Sequence, residues 1–379
     1  MTSRQRMIWL DCLRLMAGVS MLGLHSTTDP SGQPWVAYAV EDRYAPLFLR
    51  TILYMARTEL FIVISCFLLL FALERRPRSY GETIKEQIRR LLVPFFFWTV
   101  FFAFYGLIKA DAFGYLDSAQ ATLANPQEWL GYFLLGDVKY HMHFLPTLFG
   151  VVLMFPLFRL AVKYPALGFS IIGFLVAKDQ LDAFIYKTFW GTDILPYLVR
   201  AAKIATYVGY GMMAGAALGI WQRTTSEMRR EWFGLLVLLG VILFTFKLIA
   251  AWQTAQTGKW VFNYLPGYWA DFLFPVVLFG GCMALSHMRW PELIARIAPY
   301  SFGLYLCHPI FLDLFEIFMQ QGSSDFAPIT QALMKMSFAL VTTSLFVFII
   351  SKIKVLAWTI GLGALPKLRL RAKAKEGTA

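Results

Sequence analysis

Charge is what this sequence has least of. Only 15% of its 379 residues are Asp, Glu, Lys or Arg, against roughly a quarter in an average water-soluble domain. No stretch is polar enough to fold in water as a domain of ordinary size, which excludes a soluble enzyme with a membrane tail. Cysteine is scarce as well. Cys12, Cys66, Cys282 and Cys307 lie in or beside apolar runs without metal-ligand spacing, so neither structural disulfides nor a zinc site is expected. Acidic residues are outnumbered, 23 against 35 basic, for a net charge of +12. Basic cytosolic loops and contact with anionic lipid headgroups account for such an excess, and no nucleic-acid partner is needed to explain it. Internal repeats and low-complexity tracts are absent. The first apolar run follows Arg4 and Arg6 in the manner of a signal peptide, but it lacks a small-x-small cleavage site and contains Asp11 and Arg14. It is expected to be retained as a first helix.

What the sequence does have is apolar length: 58% of residues are hydrophobic, 17% are aromatic and the mean hydropathy is +0.57. A helix crossing the hydrocarbon core needs about 20 mostly apolar residues. That rule marks spans at 7–25, 47–73, 91–108, 143–162, 166–176, 195–221, 232–252, 268–286, 297–319 and 329–358, the fifth being short. Basic residues concentrate in the linkers 74–90 and 222–231 and in Lys367, Arg369, Arg371, Lys373 and Lys375. Short loops rich in Lys and Arg stay in the cytosol, and ten spans put all three segments on one side with the N-terminus. The expected fold is all-α and polytopic, with about ten transmembrane helices and both termini cytosolic. A membrane domain over 1–362 is followed by a basic cytosolic tail over 363–379.

A charged or imidazole side chain inside a span costs roughly 2.5–3.5 kcal/mol on insertion scales and by default marks a functional site. Asp11 and Arg14 are three apart and neighbours on a helix. His25 lies eleven residues beyond Arg14, which returns to nearly the same face roughly 16 Å further along the axis. Arg57 and Glu59 stand at the outer end of the second span, where a snorkelling pair is the bland reading. His141 and His143 open the fourth span, but their i, i+2 spacing puts the rings on different sides, against a metal site. Ser301, Tyr305 and His308 share a face of the ninth, either as a polar ladder in the core or as a site.

Taken together these residues resemble the acyltransferase family 3, integral membrane proteins of bacteria that modify cell-surface or periplasmic carbohydrates. Arg14 and His25 match the family's Arg, ten residues, His element. The run 61–67 matches a Phe-x-x-Ser-Gly-Phe-like element, with Cys66 in place of Gly. Arg89 and Arg90 precede Pro94 as in its basic segment, and 141–145 matches His-x-Trp-Phe-Leu with His143 in place of Trp. Ser301, Tyr305 and His308 match Ser-x-x-x-Tyr-x-x-His. The look is closest to single-domain glucan and exopolysaccharide acyltransferases.

The resemblance implies a multi-pass protein of the bacterial inner membrane that moves an acetyl or succinyl group from cytosolic acyl-CoA to a glycan hydroxyl outside. On that expectation His25 is the base, with Glu59 or Asp11 orienting polar partners. Arg14, Arg89 and Arg90 hold the donor's phosphates, while Arg57, His141, Ser301, Tyr305 and His308 line the acceptor chamber. No metal is expected. A transporter or flippase for a glycan or small anion is the alternative, although the paired, interrupted helices of an inverted repeat are not apparent.

Overall fold

The computed structural model describes residues 7–321 and 326–365, and the tail lysines and arginines, with Arg4 and Arg6, lie outside the described residues. Apolar composition without strand signals produces helices throughout. The chain opens with α1 (Ile8–Ser26), then α2 (Val40–Leu53), α3 (Thr58–Arg75) and α4 (Tyr80–Gln87). A π turn at Ile88–Leu92 leads into α5 (Val93–Ala112), and the 111–140 segment folds as two short surface helices, α6 (Leu116–Ala124) and α7 (Pro126–Leu134). Next come α8 (Phe144–Val152), α9 (Phe155–Lys163), α10 (Ser170–Phe189) and α11 (Leu195–Arg223). The rest is α12 (Ser226–Glu231), α13 (Phe233–Thr257), α14 (Leu265–Ala284), α15 (Glu292–Ile297), α16 (Ser301–Gln321) and α17 (Pro328–Lys352).

Among the described residues eight helical stretches are long and apolar enough to cross a membrane, and the bent pair α8 and α9 makes a ninth. A further long helix, which does not meet that measure, runs alongside them. Near the start of α8 and α11, Arg200 bonds the carbonyl of His143; at their far ends Arg223 bonds the carbonyls of Val162 and Lys163. The α8–α9 unit and α11 therefore run parallel, and the chain between them must return across the full depth. α10 makes that return, in contact with α11 from Gly209 beside Ile171 to the cleft shared by Tyr186 and Leu195. It fails on composition alone because it carries Lys178, Asp179, Asp182 and Lys187.

Several expected boundaries need correction. The short fifth span, 166–176, is a full 20-residue helix that starts later, after a 3-10 turn over Pro165–Phe169. The second span, expected as one helix over 47–73, is broken between Leu53 and Thr58. The fourth, expected over 143–162, bends by 60° at residues 153–154. Pro156 lies in the first turn of α9, and lacking an N–H it cannot continue the hydrogen-bond ladder of α8.

Close packing of α9 on α11 follows from Gly211, Gly215 and Gly219, each four residues from the next. A Cβ on Gly215 would lie 2.2 Å from the carbonyl oxygen of Phe158, and one on Gly211 would meet its ring. Small residues at this spacing let membrane helices approach backbone to backbone. The result is a rigid wall to which α3 also packs, with Glu59 bonded to Tyr207 of α11.

Candidate active site

α1 and α16 run side by side in the same direction, Gly18 against Ser301 and His25 against His308. The imidazoles of His25 and His308 stack with centroids 5.8 Å apart, and His141, from the turn before α8, meets His308 at 5.1 Å. Tyr140 completes the group, its ring 4.1 Å from that of His25. Three histidines distant in sequence therefore share one cluster where the end of α1 meets α16.

Local chemistry sets their tautomers. Pro309 has no N–H, which leaves the carbonyl of Tyr305 without its helical donor. His308 Nδ1 lies 2.8 Å from that oxygen. A carbonyl only accepts, so Nδ1 carries the proton and Nε2 the lone pair. By the same reasoning His141 Nε2, 3.2 Å from the carbonyl of Leu306, is protonated and its Nδ1 is not. Tyr305 returns the contact, its hydroxyl donating to the His141 carbonyl at 2.6 Å. His25 Nε2, His141 Nδ1 and His308 Nε2 are all buried without a hydrogen-bond partner. Buried polar atoms are rarely left so, and two lone-pair nitrogens beside the unpartnered His25 Nε2 are a setting suited to proton abstraction.

The turn that carries Tyr140, His141 and His143 is held from both sides. Lys139 pairs with Asp313, which also receives Lys109 at 3.2 Å, and Glu316 bonds Lys109 and Lys335. Gly136, at φ +76°, packs so tightly on the turn that a Cβ would lie 2.7 Å from the backbone of His143. On the other side His143 Nδ1 meets the carbonyl of Tyr140 at 2.6 Å. Burial pushes the His143 imidazole down to about 3, with Lys203 and Arg200 adding to the effect. His141 is pushed well below its ordinary range by burial, then by His308, His25 and Lys139.

A second polar group forms at the break between α2 and α3. Arg57 is 3.2 Å from Glu59 and 3.3 Å from Asp271, and it lies over the rings of Tyr54 and Phe272. It points inward and does not snorkel, because the helix break turns it toward α14. Glu59, fully buried, is held by Arg57, Tyr207 and Thr58. Asp271 also pairs with Lys247. Two cations and two carboxylates thus neutralise one another, which a buried charge requires.

A family model described as an acyltransferase domain matches residues 7–352. The chain belongs to the acyltransferase 3 family. It is a multi-pass membrane acyltransferase. No curated protein and no solved structure matches it significantly.

The structure brings His25, His141, Tyr305 and His308 of this acyltransferase together, with Ser301 buried one turn before Tyr305. Arg57 and Glu59 form the separate group described above. Asp11 and Arg14, 3.4 Å apart, lie near the start of α1, at the opposite end from His25. Arg89 and Arg90 are exposed in the π turn, Arg90 pairing with Glu86 at 3.1 Å. Sequence reasoning missed Tyr140, the lysine and carboxylate network behind it, and Arg50. Arg50 donates to the carbonyl of Leu24 at 2.6 Å and so caps α1 beside His25. Lys109, Asp313, Glu316 and Lys335 sit in apolar helices, and the cost rule that singled out Arg14 applies equally to them.

Proposed function

We propose that this acyltransferase moves an acyl group, acetyl or succinyl, from cytosolic acyl-CoA to a hydroxyl of a periplasmic or cell-surface glycan in the bacterial inner membrane. Both termini and the basic tail after residue 362 face the cytosol. The observation that carries the reading is the cluster of three imidazoles, each with a buried ring nitrogen that has no hydrogen-bond partner among the described residues. His25 Nε2 takes the proton of the acceptor hydroxyl. The oxygen attacks the thioester carbonyl, the carbon–sulfur bond breaks, and the thiolate leaves with the proton returned by the imidazolium. Tyr140, His141 and His308 shape the chamber, and Tyr305 fixes His141. Arg14, with Asp11 as its neighbour, and Arg89 and Arg90 at the other end of the bundle grip the phosphates of CoA. Arg57, oriented by Glu59, borders the acceptor.

The test uses the whole protein in sealed vesicles with donor on one face and glycan on the other, reading both CoA release and ester on the glycan. His25→Ala is expected to insert and fold normally and to lose about 10²- to 10⁴-fold in rate, the usual contribution of a general base. A His25→Ala protein that still acylates at the wild-type rate would eliminate the mechanism. Glycan that crosses the membrane unacylated would favour a transporter.

A further inference from the structure

A cleft of about 460 Å3 opens beside the chamber at the start of α11, lined by Asp137, His143, Tyr186, Leu195, Arg200 and Lys203. Its two cations differ from the lysines around them, which are paired. Lys178 pairs with Asp182, Lys247 with Asp271, Lys109 and Lys139 with Asp313, and Lys335 with Glu316. Lys203 forms no hydrogen bond and no ion pair among the described residues; its ammonium lies only 5.3 Å from the ring centroid of Tyr207. Arg200 spends one nitrogen on the carbonyl of His143, at 2.9 Å, and on Thr147 Oγ1, at 2.6 Å, while its Nε is buried without a partner. Glu59 attracts Lys203 but is committed to Arg57 and Tyr207, and Asp137, which lines the same cleft, attracts Arg200 without forming an ion pair among the described residues, so one carboxylate faces two cations there.

A cation without an ion-pair partner in a membrane protein is costly, and two of them facing a single carboxylate in one cleft form a site for an anion. The volume falls in the range of roughly 300–1,000 Å3 typical of small-ligand sites, which leaves room for a sugar ring as well as its charge. Tyr186 supplies an exposed aromatic face at the rim, next to Trp190 at 6.2 Å. The cleft also adjoins the chamber directly, since Arg200 bonds the carbonyl of His143 and His143 bonds that of Tyr140.

We propose that this cleft is the subsite for an acidic sugar residue of the acceptor, whose carboxylate or phosphate pairs with Lys203 and with the guanidinium of Arg200. The assignment of that sugar as acceptor rests on the acyl-transfer reading; the binding itself does not. Lys203 has no structural bond to lose, so Lys203→Gln is expected to fold, and Lys203→Arg keeps the charge.

The experiment measures calorimetric binding of trigalacturonate, of uncharged maltotriose and of succinate to the whole chain in lipid nanodiscs. Trigalacturonate is expected to bind about tenfold more tightly than maltotriose, equivalent to about 1.4 kcal/mol. Lys203→Gln should abolish that preference and Lys203→Arg should retain it. Equal binding of the two saccharides, a preference that survives Lys203→Gln, or no saturable binding overturns the subsite. So does Lys203-dependent binding of succinate without galacturonate, which would assign the cations to the acyl group. Lys203-dependent binding in a protein that transfers no acyl group counts against the reaction alone. Charge-blind binding in a protein that does transfer counts against the subsite alone.

Discussion

Replacing Asp313 with Asn tests how the chamber is held. Asp313 is 2% exposed and pairs with both Lys109 and Lys139, while Glu316 serves Lys109 and Lys335. Three ammonium groups face two carboxylates, and Asp313→Asn leaves three facing one. Breaking a buried pair by removing one partner typically costs about 3–5 kcal/mol. The Lys109 and Lys139 side chains keep 19% and 15% exposure, so water offsets part of the loss and the expected cost is about 3 kcal/mol. At roughly 2 °C per kcal/mol that is about 6 °C in Tm, read by tryptophan fluorescence of the solubilised protein. Because Lys139 precedes Tyr140 and His141, the rate of acyl transfer should fall through kcat more than through KM. The decisive comparison is the double variant Asp313→Asn with Lys139→Met, which returns the network to its original net charge. It should recover about 1–2 kcal/mol relative to the sum of the single variants. Strictly additive losses would refute the network as the element that holds the turn.

Two further outcomes follow from the packing and from the histidines. Gly215→Ala drives a methyl into the Phe158 carbonyl and should destabilise by about 1–3 kcal/mol, as over-packing does. Gly173→Ala, on a helix with open space around it, should be neutral or gain up to about 1 kcal/mol; similar Tm changes in the two variants would refute the close approach of α9 and α11. His143 is pushed down to about 3 and His141 in the same direction, so folding favours their neutral forms. The unfolded chain protonates first, near its ordinary value of about 6.5, so this stability is complete above that pH and is lost as pH falls toward the folded values. Tm should therefore drop between pH 7 and pH 4, with a shallower slope for His143→Gln; a slope identical to wild type would rule out a buried neutral His143.

The all-helical, polytopic fold and the prominence of His25, His141, Tyr305 and His308 were legible in the sequence because each depends on local properties. A span needs about 20 apolar residues in a row, and a costly His25 or His308 stands out against Leu and Phe wherever it folds. Helix breaks were less legible. The stretch 47–73 read as one span, yet the backbone parts between Leu53 and Thr58 and turns Arg57 inward. α10 read as short because Lys178, Asp179, Asp182 and Lys187 lower its hydropathy, although Lys178 and Asp182 neutralise each other one turn apart. Tertiary structure alone decided which charges share a site. Arg57 and Glu59 stand out in the sequence, but their partners Asp271, Lys247 and Tyr207 lie about 150 to 210 residues away, and only the fold joins them into one neutral group. Conversely Lys203 and Arg200 are unremarkable in the sequence, and only the folded chain places both in one cleft with Asp137 as its single lining carboxylate. Pairing between distant helices follows from the three-dimensional arrangement, and no local pattern encodes it.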